Sequence, residues 1–132
     1  MNPSKMMKKM EYKKLYLDDV RTPKSEGWDI VRSYDEFVNY IELNGVPDEI
    51  SFDHDLSREH TKYFFNNGGH ENPPNPLEGE FEEKTGYDAA KWLCDYCWTN
   101  GIPLPKWNVH SANPVGSDNI KFLMKSFEKK FI

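Results

Sequence analysis

Two adjacent acids, Asp18 and Asp19, close the short apolar run Lys14-Leu15-Tyr16-Leu17. A second run, Glu49-Ile50-Ser51-Phe52, ends in Asp53-His54-Asp55, and a third, Lys106 to Ser111, ends in His110-Ser111. Carboxylate oxygens are hard ligands that suit Mg²⁺ or Ca²⁺. Neighbouring parallel strands lie about 4.8 Å apart, so Asp18, Asp19 and Asp53 at adjacent strand ends would meet around one cation. An acidic pair alone is as well explained by a polar strand end or a helix cap, and it is the second acidic strand end that points to a metal. Imidazole donates or accepts a proton near neutral pH. A single strand-end histidine is usually a hydrogen-bonding residue. His54 and His110 are two of the four in the chain and both stand where the acids gather, which points to acid–base work. The other two, His60 and His70, suggest no role.

Weaker signals surround these. Arg21, two residues past the acidic pair, would neutralise a phosphoryl oxygen. In His110-Ser111-Ala112-Asn113-Pro114-Val115-Gly116-Ser117 a strand passes through small residues into a helix, and the exposed amides and hydroxyl of Ser111 and Asn113 suit a phosphate. The segment is neither a P-loop nor a G-x-G-x-x-G turn, and an ordinary strand-to-helix connection reads the same. Cys94 and Cys97 fall inside an aromatic helix without further soft ligands, so they read as packing rather than zinc. No G-x-S-x-G elbow supports serine-hydrolase chemistry.

The elements that must position these residues alternate. Strands are expected at Lys14–Leu17, Trp28–Val31, Glu49–Phe52 and Lys106–Ser111. A helix follows Ser33, where Glu36 completes a capping-box pattern and Tyr34, Phe37, Val38 and Ile41 form one face. A second spans 87–99, with Ala89, Trp92, Leu93, Tyr96 and Cys97 inward. The last is capped by Ser117 and faces inward through Ile120, Leu123, Met124, Phe127 and Phe131. Strands alternating with helices indicate a parallel sheet covered on both faces, with ligands beyond the strands' carboxyl ends. Only about eight residues link the first two strands, whereas a parallel crossover takes a dozen or more. Either the first helix is reduced to a loop, or the second run is not a parallel strand. Residues 57–84, rich in Asn, Gly and Pro without apolar periodicity, read as an insertion, either a lid or a disordered loop.

Length and charge bound the rest. The 132 residues suit one domain: a flexible basic tail at 1–12 and a domain at 13–132. A charged fraction of 30% is offset by 14% aromatic residues, enough for one core. No apolar run reaches the roughly 18–20 residues of a membrane span, and the basic start lacks the apolar stretch of a secretory signal. Two cysteines make no disulfide scaffold. The chain reads as cytoplasmic. Residues 1–14 carry five lysines against one acid, while the other 118 hold 12 basic and 21 acidic groups. So acidic a body is a poor general binder of duplex nucleic acid. To handle a phosphate it needs a local cation.

Four segments in this order resemble the cyclic-phosphate-processing receiver-like family: Leu15-Tyr16-Leu17-Asp18-Asp19-Val20-Arg21-Thr22-Pro23, Ile50-Ser51-Phe52-Asp53-His54-Asp55-Leu56, Thr85-Gly86, and Val109-His110-Ser111-Ala112-Asn113-Pro114-Val115-Gly116. The resemblance implies a modified response-regulator receiver, a Rossmann-like three-layer α/β sandwich with a mostly parallel four-stranded sheet. It implies a metal-dependent phosphoesterase acting on a cyclic phosphate at a nucleotide or RNA end. Asp18 and Asp19 match the acidic pair, Asp53 the phosphate-accepting position, and His54 and His110 the family's added histidines. Two departures from a signalling receiver stand out: no final strand bearing a phosphoryl-contacting lysine, and no convincing first helix. The leading expectation is a hydrolase of a cyclic phosphodiester using Mg²⁺ or another divalent cation. Asp18, Asp19 and Asp53 hold the metal, Arg21, Ser111 and Asn113 hold the substrate, and His54 and His110 share acid and base roles. The alternatives are a switch phosphorylated on Asp53 and a non-catalytic cyclic-nucleotide binder.

Overall fold

The computed structural model describes residues 11–56 and 84–130; most of the basic start and of the 57–84 insertion, and Phe131, lie outside the described residues. Within them the chain forms β1 (Lys14–Leu17), β2 (Trp28–Val31), α1 (Tyr34–Asn44), β3 (Glu49–Phe52), α2 (Gly86–Asn100), β4 (Lys106–Val109) and α3 (Pro114–Lys130). The sheet has the order β2-β1-β3-β4, and every neighbouring pair is parallel. This is the expected receiver-like α/β arrangement. Of the alternatives for the short first link, the loop is what forms: the residues between Leu17 and Trp28 contain no helix, yet β2 pairs with β1 in parallel.

Local chemistry explains where the elements start and stop. Ser33 Oγ accepts from the Glu36 amide at 3.1 Å, but Glu36 turns back to the Arg32 amide rather than to that of Ser33. The complete capping box stands at α2, where Thr85 and Asp88 exchange side-chain-to-amide bonds. Gly101 ends α2 in the left-handed conformation that favours glycine. Ser117 is not the cap of α3. Pro114 opens that helix, where its missing N–H costs nothing, and Asn113 Oδ1 accepts from Gly116 N at 3.0 Å. β4 ends at Val109, two residues earlier than expected, because the chain turns at His110 and Ser111 towards α3.

Alternation along the strands divides the sheet into two unlike faces. Leu15, Leu17, Val31, Ile50 and Phe52 join Phe37, Ile41, Leu93, Ile120 and Met124 in one buried cluster, with Trp107 and Val109 against it. All three described helices pack on this face. The handedness of parallel crossovers dictates this for α1 and α2, since with right-handed connections β2→β3 and β3→β4 cross on one side and β1→β2 on the other; α3 follows β4 and packs beside α2. The only described connection on the second side is the helix-free link after β1, so two layers of the expected sandwich lie within the described residues. In the paired register, the second face carries the rows Trp28-Lys14-Glu49-Lys106 and Ile30-Tyr16-Ser51-Asn108. One repeat further on, at the strand ends, come Asp18, Asp53 and His110.

Cys94 and Cys97 are buried free thiols, pushed up by burial to about 12 and about 11, with Cys94 Sγ 3.6 Å from Met124 Sδ. Both pack in the core rather than binding zinc, as read from the sequence.

Candidate metal and phosphate site

The chain leaves β1 outward to β2 and returns past it to β3, so the order reverses between β1 and β3. Such switch points open the crevice in which parallel α/β sheets bind ligands. Asp18 follows β1, Asp53 follows β3 and His110 follows β4. Backbone ladders extend past the strand ends to hold all three: Asp18 N donates to Val31 O, Asp53 N to Leu17 O and His110 N to Phe52 O. One ligand atom from each of Asp18, Asp53 and His110 lies within 4.8 Å of the others.

Asp18 is fully buried and heavily bonded. Its Oδ1 accepts from the amides of Val20 (2.9 Å) and Arg21 (2.7 Å), and its Oδ2 faces His110 Nε2 (3.0 Å) and Arg21 Nε (3.5 Å). Burial acts to raise its pKa, but the Arg21 and Val20 amides, His110 and the Arg21 charge together outweigh it and hold the carboxyl below its usual range. The Arg32 guanidinium ties the turn down from outside, donating to the carbonyls of Asp18 and Arg21.

Asp53 is the opposite case. Burial, then the neighbouring Asp18 charge, push it up to about 6, against a hydrogen bond from Ser111 and the Arg21 charge. Two buried carboxylates with so little compensating charge form a site whose electrostatics favour a cation. Two carboxylates and an imidazole are also a donor set that divalent metals accept. The residues therefore fit a divalent cation.

His110 is placed from three sides. Nε2 is on Asp18, Nδ1 is 2.7 Å from Ser51 Oγ, and the Tyr16 ring stacks on the imidazole at 4.2 Å and 8°. Burial lowers its pKa and the Asp18 carboxylate partly restores it, so the ring is predominantly neutral at neutral pH and able to take up a proton.

His54 points elsewhere. It has the opposite strand parity to Asp53, and its buried ring packs against the start of α3 with Nδ1 2.8 Å from Asp55 Oδ1. Asn113 Nδ2 donates to the same oxygen at 3.2 Å while its Oδ1 caps α3. The side chain expected to bind substrate thus joins α3 to the Asp53-His54-Asp55 turn. Ser111 Oγ accepts from Asn113 N and its hydroxyl donates to Asp53. Arg21 is half-exposed at the rim and also donates to His110 O at 3.3 Å. Asp19 is not part of the group of mutually close donor atoms, which His110 joins instead.

Two glycines of the motifs owe their identity to this packing. A Cβ on Gly86 would lie 1.7 Å from the Asp53 carbonyl oxygen, and Gly86 N donates to His54 O at 2.8 Å. A Cβ on Gly116 would lie 2.3 Å from Cγ of His54. Sequence reasoning missed Ser51, Tyr16 and Arg32. The first two were visible as polar positions alternating with Ile50, Phe52, Leu15 and Leu17, which places them on the face the core does not use.

No described helix is long and apolar enough to cross a membrane. Neither the curated proteins nor the solved structures contain a match to this chain. The family model of the cyclic-phosphate processing receiver domain matches residues 13–126. That span holds the four described strands, the Asp18, Asp53 and His110 group and both glycines, and the chain belongs to the cyclic-phosphate processing receiver domain family.

Proposed function

We propose that the protein is a metal-dependent phosphoesterase that opens a cyclic phosphodiester, such as a 2′,3′-cyclic phosphate on a nucleotide or RNA end, by adding water. The observation that carries this reading is the convergence of Asp18, Asp53 and His110 at the switch point of a chain from this family. Asp18 and Asp53 would hold the cation, Mg²⁺ being the first candidate, with Asp19 as a further carboxylate at the rim. A divalent cation bound there supplies charge to the phosphoryl oxygens and Lewis-acid polarisation of the phosphorus centre.

The chain's own groups do the remainder. Arg21 offers its guanidinium to a phosphoryl oxygen, and the Ser111 hydroxyl stands beside Asp53 to orient it. The neutral imidazole of His110 takes the proton of the attacking water. The P–O bond to one ribose oxygen breaks, that oxygen takes up a proton, and a phosphomonoester remains. His54 is the second candidate for proton transfer. The geometry favours His110, since it shares the donor group with the two acids. Attack by Asp53 itself, with water releasing the aspartyl phosphate, is the covalent variant of the same reaction.

The test is turnover of a panel of 2′,3′-cyclic nucleotides and cyclic-phosphate-ended oligonucleotides with Mg²⁺ or EDTA, with products read by mass. Metal-dependent addition of one water, lost in Asp53→Ala and His110→Ala, supports the reading. Intact substrate across the panel refutes it. A stable phosphoryl adduct on Asp53 from a small phosphodonor would instead mark a receiver-type switch, and retention of intact ligand a binding module.

A further inference from the structure

The metal group does not sit on the helix-covered side of the sheet. Asp18, Asp53 and His110 continue the alternation of Lys14-Tyr16, Glu49-Ser51 and Lys106-Asn108, so they open over the face against which no described helix packs. That face is unusually aromatic at its β2–β1 end. Tyr16 stacks on His110 at 4.2 Å, and the Trp28 ring lies 5.7 Å from it with the two planes 70° apart. Ile30, 37% exposed, is the register partner of Tyr16. Trp28 is held in place by a hydrogen bond from its Nε1 to Ser25 Oγ and by the Lys14 ammonium 4.7 Å above its ring. None of Tyr16, Trp28 and Ile30 belongs to the core or packs against it.

We propose that this aromatic face is a nucleobase subsite, so that the substrate of the proposed phosphoesterase is a nucleoside cyclic phosphate rather than a cyclic phosphate of a simple polyol. The inference rests on the proposed hydrolase reading for its phosphate end. Continuity with the metal group argues for this occupant. Tyr16 and Ile30 lie one two-residue repeat below the site, about 6–7 Å along the strands, with Trp28 as a wall beyond them. A phosphate at Asp18, Asp53 and Arg21 and a base on Tyr16 and Ile30 leave the ribose to span the step. Stacking on aromatic side chains is how flat sheet faces hold single bases, and it tolerates any base because each has a π-face. Lys14 and Lys106 lie on the same face and favour an anionic ligand, while Glu49 between them is engaged by the Tyr12 hydroxyl at 3.1 Å. A ring already fixed loses little freedom when a base docks.

The experiment compares adenosine 2′,3′-cyclic phosphate with the 2′,3′-cyclic phosphate of 1-O-methylribose, which has the sugar and no base. The full chain is assayed as wild type, Trp28→Ala and Ile30→Ala, with Tyr16 left intact because it also fixes His110. Wild type is expected to prefer the base-bearing substrate in kcat/KM by between about fivefold and a hundredfold. Both variants are expected to lose most of that preference while turning over the base-free substrate as wild type does. Equal use of the two substrates by wild type overturns the subsite and leaves the hydrolase standing, as does a variant that loses both activities together while still folded by circular dichroism. If neither substrate is opened, the hydrolase reading fails, and calorimetric titration with adenosine 2′-monophosphate judges the subsite alone. Binding weakened in Trp28→Ala and Ile30→Ala upholds it, and no binding by wild type overturns it.

Discussion

His110 Nε2 lies 3.0 Å from Asp18 Oδ2, a contact between residues 92 positions apart that joins the ends of β1 and β4 across β3. The other ring nitrogen is 2.7 Å from Ser51 Oγ. An ionised Asp18 accepts from Nε2–H, which makes Nδ1 the acceptor of the Ser51 hydroxyl. If Nε2 turns instead to the attacking water, Nδ1–H becomes the donor and the Ser51 oxygen the acceptor. A hydroxyl serves in both directions. The contact therefore has two states, and Ser51 accommodates each.

Ser51→Ala is accordingly expected to lower turnover by about 10- to 100-fold, the usual effect of removing a group that orients a functional histidine. Overall stability should fall only by about 1–2 kcal/mol. Imidazole nitrogen shifts in NMR provide the check: the Nδ1 signal of His110 should change its protonation pattern in the variant, which a purely structural defect elsewhere would not produce.

Asp53 makes the stability of the metal-free protein depend on pH with an unusual sign. Its carboxyl is pushed from 3.8 up to about 6 in the folded chain, so between about pH 4 and 6 the folded state binds the extra proton. The group's contribution to stability falls as pH rises through that window. Above it, the ionised carboxylate costs on the order of 3 kcal/mol. Asp53→Asn should therefore be more stable than wild type at pH 7.5 in EDTA, and the advantage should shrink towards pH 4.5. Denaturant titrations at several pH values measure this, and an advantage independent of pH would contradict it.

The same carboxylate ties metal binding to pH. A ligand must be deprotonated to bind, so below about pH 6 the apparent affinity for Mg²⁺ or Mn²⁺ should drop by about tenfold per pH unit. Saturating metal should raise the melting temperature of wild type at pH 7.5 and leave that of Asp53→Asn nearly unchanged. Thermal scans with and without EDTA decide this.

Gly86 and Gly116 should differ in how they fail. The Gly86→Ala methyl would run into the Asp53 carbonyl, which is backbone and cannot swing aside, so loss of folding or several kcal/mol is expected. At Gly116 the obstacle is the His54 ring. Gly116→Ala should cost about 1–3 kcal/mol and loosen the Asp55–Asn113 link. Gly116→Ala with His54→Ala should recover part of that loss, which a double-mutant cycle measures.

His110→Ala and His54→Ala separate the two histidines. The first should abolish turnover by at least about a hundredfold with the fold intact. The second should act mainly through stability, since the buried His54 ring fills the space against Gly116. Rate and unfolding curves on both variants form the comparison, and equal catalytic losses at unchanged stability would restore His54 to a proton-transfer role.

Much of this was legible in the chain because its signals are local. Short β runs bounded by turn residues, Gly45 and Gly101 after their helices, and acids directly following Leu17 and Phe52 all report on neighbours within a few residues. The Ser117 cap failed for an equally local reason: Asn113-Pro114 three residues earlier is the stronger start signal. Partnership is another matter. That His110 rather than Asp19 joins Asp18 and Asp53, and that His54 turns to Gly116, follows from strand parity, because a one-residue step moves a side chain to the other face. Which face the helices leave uncovered follows from strand order and crossover handedness, properties of the whole sheet rather than of any segment. The residue types that do chemistry were written in the chain; their grouping, and the face onto which they open, were decided only when four strands took their order.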